Sequence, residues 1–157
     1  MMSQQTTAFL TDLERLKDRP RLVVIVAHGL IELTVNELIR AHCKHAGEMR
    51  RISHYRKMIV LNEMDVLPDS FFNCLNRLRD LRNRSVNEPR FDPTQADLSD
   101  LAQTLDISLP GSGLDLVVLC SSIIQSLLNQ YEGILRSTLA GGALGPITTC
   151  QKGSSRG

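Results

Sequence analysis

The chain has 157 residues, 42% of them hydrophobic and 22% charged, with a net charge of +1 and no tryptophan. That length suits one domain around one core, and the apolar content excludes wholesale disorder. A net charge near zero argues against tight, sequence-blind binding of duplex nucleic acid, and an aromatic content of 4% leaves the core to Leu, Ile, Val and Met, which suits packed helices.

In chain order, residues 7–17 place Phe9, Leu13 and Leu16 at helical spacing. Asp18-Arg19-Pro20 interrupts this segment, and Pro20 is suited to open the next helix. Residues 21–43 are the longest periodic stretch, with Leu22, Ile25, Val26, Leu30, Leu33, Leu38 and Ile39 on a wide face. Val23, Val24 and Val26 suggest a strand, but the 3–4 spacing continues past Gly29 and predicts a helix. Ala46-Gly47 marks a turn. Residues 48–62 are expected as one helix on the stripe Met49, Ile52, Tyr55 and Ile59. After a short connection at 65–68, Phe71, Leu75, Leu78, Arg82 and Ser85 repeat at intervals of 4, 3, 4 and 3. Arg77 and Arg84 fall on another face, where Asp80 is positioned to pair with Arg84 at i, i+4.

Pro89, Pro93 and Pro110 bracket a looser region. Within it, Thr94-Gln95-Ala96-Asp97 has the form of a capping box ahead of Leu98, Leu101 and Leu105. Pro110-Gly111-Ser112-Gly113 is a break, after which Ser112 with Asp115 can cap a last helix. Its buried stripe is Leu116, Leu119, Cys120, Ile123, Leu127, Tyr131 and Ile134, and Gly141-Gly142 is expected to end it. The sum is an all-α, up-down bundle of four main helices plus short ones. It forms one domain over residues 1–140, with a flexible tail over 141–157.

None of Cys43, Cys74, Cys120 and Cys150 forms a C-x-x-C pair, and the start of the chain does not read as a signal peptide. The longest uninterrupted apolar run, residues 22–27, is far short of a membrane span. These features predict a reduced, cytoplasmic protein without membrane contact. Charge is unevenly placed: residues 40–90 hold eleven Lys or Arg against six Asp or Glu, and residues 91–135 hold six acidic residues and no basic one. The two stretches either pack or dimerise against each other, or the first offers a basic surface to phosphate groups.

Three constellations bear on chemistry. In Leu81-Arg82-Asn83-Arg84-Ser85-Val86-Asn87-Glu88, Arg82 lands on the line that otherwise points to the core. A guanidinium there is either a structural tie or a phosphate-binding group, with the alternative that Arg82 is solvated at the end of the bundle while Asn83 and Asn87 cap the helix. His28, Glu32 and Asn36 recur at i, i+4, i+8. They read as a solvent-facing row, except that Glu32 is equally suited to orient Arg82 or to form a small polar pocket. His42-Cys43-Lys44-His45 holds metal-ligand residue types, but no second ligand pair has suitable spacing, so surface histidines at a helix end are expected and no metal or other cofactor.

The order of a long helix with an embedded Glu32, a helix around Ser53-His54-Tyr55-Arg56-Lys57, and a helix ending in Leu78-Arg79-Asp80-Leu81-Arg82-Asn83 resembles the HEPN superfamily. Within it, the chain is most similar to the mannitol operon repressor family. The resemblance spans roughly residues 8–135. Active HEPN proteins use an Arg and a His of this motif to act on RNA, often across a two-fold dimer. Arg82 matches that arginine and Asn83 the polar residue beside it, but Asn87 stands where the histidine would be, and no histidine follows His54. Asn exchanges no proton near neutral pH. The resemblance therefore implies a non-catalytic regulator, homodimeric, acting on a protein, nucleotide or nucleic-acid partner through Arg82, Asn83, Asn87, Glu32 and Arg79. The alternatives are a ribonuclease toxin with a degenerate site and a purely structural interaction subunit.

Overall fold

The computed structural model describes residues 4–108 and 114–135. They form α1 (Gln4–Arg15), α2 (Pro20–His42), α3 (Ala46–Met49), α4 (His54–Glu63), α5 (Asp69–Asn87), α6 (Gln95–Thr104) and α7 (Leu116–Gln130), with a further helical turn at 132–135 and no strand among the described residues. The all-α bundle is as expected. α7 stops at Gln130, with a turn at Tyr131, and so ends before the expected Gly141-Gly142; that pair, Cys150, the tail, and the break at Pro110-Gly111-Ser112-Gly113 lie outside the described residues.

Local chemistry sets most of the helix starts. Pro20 occupies the first turn of α2, where its missing N–H is no loss. Thr94 and Asp97 form a reciprocal capping box on α6, and the Asp115 carboxylate accepts from the Val118 N–H to start α7. The Gln95 amide clasps both the N–H and the C=O of Leu114, holding the entry to α7 beside α6.

The expected single helix over 48–62 is two elements. Ser53 adopts an extended ψ of 156° and accepts from the Arg56 N–H, so it caps a new helix. A side chain that satisfies an orphan N–H competes with helix continuation, and the stripe Met49, Ile52, Tyr55, Ile59 runs across that break. The Asp80–Arg84 pair is also not formed. Arg84 instead binds Glu88 at 3.1 Å and Asp97 at 2.9 Å, while Asp80 lies 3.6 Å from Arg79. The Arg84–Asp97 pair joins the basic stretch to the acidic one within a single chain.

α2 is the central element and packs against α1, α3, α4, α5 and α7, while α5 also meets α4 and α6. The fully buried large side chains include Leu13, Ile31, Leu38, Met58, Leu75, Leu78, Leu119, Ile123 and Ile124. Each contributes about 1.5–3 kcal/mol of transfer free energy. At the far end of α7, the Tyr131 hydroxyl donates to the Val66 carbonyl at 2.7 Å and ties that end to the α4–α5 connection. Over an 18-residue window α2 has a mean hydropathy of 1.8, long and apolar enough to cross a membrane, with half of the window buried inside the bundle. Counting uninterrupted apolar runs missed this because His28, Glu32 and Asn36 divide it.

Candidate functional site

The seam between α2, α4 and α5 gathers the polar groups that the core otherwise lacks. Among the described residues four polar side chains are buried: Thr6, His28, Thr34 and Ser85. Thr34 and Ser85 satisfy their hydroxyls on carbonyls of their own helices, Leu30 at 3.0 Å and Arg82 at 2.7 Å. His28 differs. It is only 3% exposed, and its Nε2 has no hydrogen-bond partner. The row that includes it does not face solvent throughout: His28 points into the bundle, Glu32 is half-exposed, and Asn36 is exposed and accepts from Lys57 Nζ at 2.8 Å.

His28 meets His54, the first residue of α4, edge to face with ring centroids 5.1 Å apart. The His54 Nε2 is likewise buried without a partner. Burial pushes the His54 imidazole down to about 4, assisted by His28, Lys57 and Arg79. Burial also lowers His28; the Glu32 carboxylate opposes that shift, and Arg82 and Arg79 reinforce it. Both rings are therefore neutral at pH 7. The Glu32 Oε1 lies 3.6 Å from His28 Nδ1, a separation too long for a strong hydrogen bond but close enough to favour the proton on that nitrogen.

α5 supplies the cations. Arg79 donates to Asn76 Oδ1 at 2.8 Å, and its guanidinium carbon lies 4.6 Å from the Tyr55 ring centroid, within cation–π range. Tyr55 is partly exposed and leans on Phe72 at 6.3 Å. Arg82 is half-buried and donates to Asn83 Oδ1 at 3.3 Å. Among the described residues no carboxylate lies within ion-pair distance of it, and the expected Arg82–Glu32 tie is not formed, because Glu32 sits against His28 instead. Asn83 thus supports Arg82 rather than capping the helix. Asn87, the last residue of α5, is exposed, and the helix is closed by the Glu88 N–H on Arg84 O.

Arg79, Arg82, Asn83 and Glu32 therefore belong to one seam, and Asn87, exposed at the end of α5, makes no hydrogen bond to them. His54, Tyr55, Lys57 and Asn76 were missed as site residues. The available signal was Ser53: as a helix cap it places His54 and Tyr55 in the first turn of α4, and the i, i+4 link of His28 to Glu32 marks the facing surface of α2. The seam's chemistry is a neutral imidazole pair within electrostatic reach of two guanidiniums, one of them stacked on a tyrosine, with one carboxylate at the edge. The residues of His42-Cys43-Lys44-His45 are exposed or half-buried, and no group of three or more His, Cys, Asp or Glu suited to a metal ion occurs among the described residues. Comparison with family models, curated proteins and solved structures found no match for the chain.

Proposed function

We propose that this chain is a non-catalytic, cytoplasmic regulatory protein of the mannitol-repressor and HEPN type that holds a phosphate-bearing ligand, nucleotide or nucleic acid, at the α2–α4–α5 seam. The observation that carries this reading is Arg82, a half-buried guanidinium with no carboxylate partner among the described residues, beside an Arg79 stacked on Tyr55. A half-buried cation without an anion has unmet demand, and a planar guanidinium meets phosphate oxygens two at a time. A tyrosine partly open to solvent adds a face on which a base can stack. The reading includes a homodimer, supported by Leu22, Ile25 and Leu33, large apolar side chains left exposed along α2.

The test is direct binding of a 3′,5′-cyclic nucleotide and of a short single-stranded oligouridylate, by calorimetry, to wild type, Arg82→Ala and Arg79→Ala. Loss of at least tenfold in affinity is expected for each variant, on the order of 1.4 kcal/mol. Binding of either probe unaffected by both substitutions rejects the seam as the site.

A second reading, an RNA-cleaving toxin, is favoured by one observation: two imidazoles absent from the motif itself lie next to Arg79 and Arg82. Against it, both Nε2 atoms are shielded from solvent and both rings resist protonation, which makes them poor proton donors. Cleavage of the oligouridylate by purified protein, abolished by Arg82→Ala, would establish this second reading over the first.

A further inference from the structure

The imidazole pair, buried His28 and half-buried His54, is left over by the binding reading, since a phosphate site built from Arg79, Arg82 and Tyr55 does not need it. Two histidines with unpartnered Nε2 atoms are costly in a core that satisfies Thr34 and Ser85. Their surroundings define what would relieve them. From α2 comes the single carboxylate, Glu32; from α4, Lys57; from α5, Arg79 and Arg82, with Asp80 drawn 3.6 Å from Arg79. Cations outnumber anions around the pair. The rings stay neutral because a further positive charge would be both desolvated and repelled.

Resting on the binding reading above, we propose that a phosphodiester anion enters this seam together with one proton, which lodges on the His28–His54 pair. The anion cancels the repulsion from Arg79 and Arg82, so the pair's proton affinity rises when the ligand is present. Protonation converts an imidazole nitrogen that lacks a partner into a charged donor, the kind of group that phosphate oxygens accept from most strongly. Only one proton is taken up, because the rings are 5.1 Å apart and a second charge would face the first. The proton comes from solvent, and no bond in the ligand is broken. The consequence is a ligand site whose affinity increases as pH falls, by up to about tenfold per pH unit for one proton taken up. The increase stops once the ligand-free pair has itself taken up a proton.

The test is calorimetric titration of wild-type protein with the same oligouridylate and 3′,5′-cyclic nucleotide, at about pH 6, in buffers of differing ionisation enthalpy. Phosphodiesters and uracil do not titrate between about pH 5 and pH 8, so any uptake belongs to the protein. The expected result is uptake approaching one proton per ligand bound, with affinity rising several-fold from about pH 7.5 to pH 5.5. Uptake is expected to fall in His28→Gln and His54→Gln and to vanish in the double variant. Binding with no dependence on buffer overturns this inference and leaves the binding reading intact. So does uptake that persists in the double variant. Failure of both probes to bind overturns the binding reading and this inference with it. Where the variants do not fold, imidazole carbon-bound proton shifts of wild type decide: movement of both histidines on ligand addition at about pH 6 is expected, and static resonances refute the proton's location.

Discussion

Acidification should destabilise the ligand-free fold through the same two histidines, and the size of the effect follows from their environment. An ordinary imidazole protonates at 6.5, and His54 in the fold at about 4. A group whose proton affinity is depressed by folding contributes its stability above the unfolded value and loses it as pH falls toward the folded one. The window therefore runs from about pH 6.5 down to about pH 4. At roughly 1.4 kcal/mol per unit, His54 alone accounts for about 3 kcal/mol, a large share of the 5–15 kcal/mol typical of a domain. His28 acts in the same direction, since burial, its largest cause, also lowers it. The Asp97 carboxyl is pushed up by burial, but bonds from Thr94 and Arg84 outweigh this and hold it below its ordinary 3.8, so its contribution disappears only at more acidic pH. Urea denaturation followed by circular dichroism at half-unit steps measures this. With a slope of about 1–3 kcal/mol per molar urea, the midpoint should fall by on the order of 1–3 M across the window. His54→Gln should flatten most of the dependence. A wild-type midpoint that does not change between about pH 6.5 and pH 4, or an unaltered slope in both His28→Gln and His54→Gln, refutes the reasoning.

Other outcomes follow from single contacts. Tyr131→Phe should cost about 1 kcal/mol in urea denaturation, because it strips the 2.7 Å donor from the Val66 carbonyl without leaving a void; no change means that carbonyl is solvated. Asp97→Ala removes both the reciprocal cap of α6 and the Arg84 partner and should cost about 1–2 kcal/mol. Arg84→Ala, which leaves the cap in place, should cost less than about 1 kcal/mol, and the reverse order would show that the ion pair outweighs the cap. Alkylation with iodoacetamide near pH 8 should label half-buried Cys43 well before Cys74 and Cys120, since burial pushes those thiols up to about 11 and about 12. Equal labelling rates by mass spectrometry would contradict their burial.

Periodicity made the three longest helices legible because each has a wide apolar stripe that only burial against neighbours can satisfy. Pro20, the Thr94–Asp97 box and Asp115 were readable for a related reason: their chemistry is local and acts within one turn. The break at Ser53 was lost because a spacing argument follows apolar residues and overlooks a polar side chain that can compete for a backbone N–H. The half-burial of Arg82 follows from its place on the inward line of α5, which depends on α5 alone. Its partner does not follow, because which residue of α2 lies opposite depends on how the helices are docked. Glu32 could reach either Arg82 or His28 by sequence, and the burial of His28 decided it. The sequence shows His54 only as part of the helix around Ser53–Lys57 and as the last histidine of the chain. Nothing in one dimension says that a residue 26 positions after His28 returns to meet it edge to face.

The three walls of the seam are not equally secured. α2 and α5 run for 23 and 19 residues with long buried faces, whereas α4 has ten residues and fully commits only Met58 and Leu61 to the core. It is bounded by the turn before Ser53 and by Asp65, which sits in the left-handed region at φ 57°. A short element with few buried anchors opens locally at less cost than the whole fold. Amide hydrogens of α4 should therefore exchange ahead of those in α2 and α5, and the rate at which the shielded imidazoles meet solvent is set by excursions of this one helix.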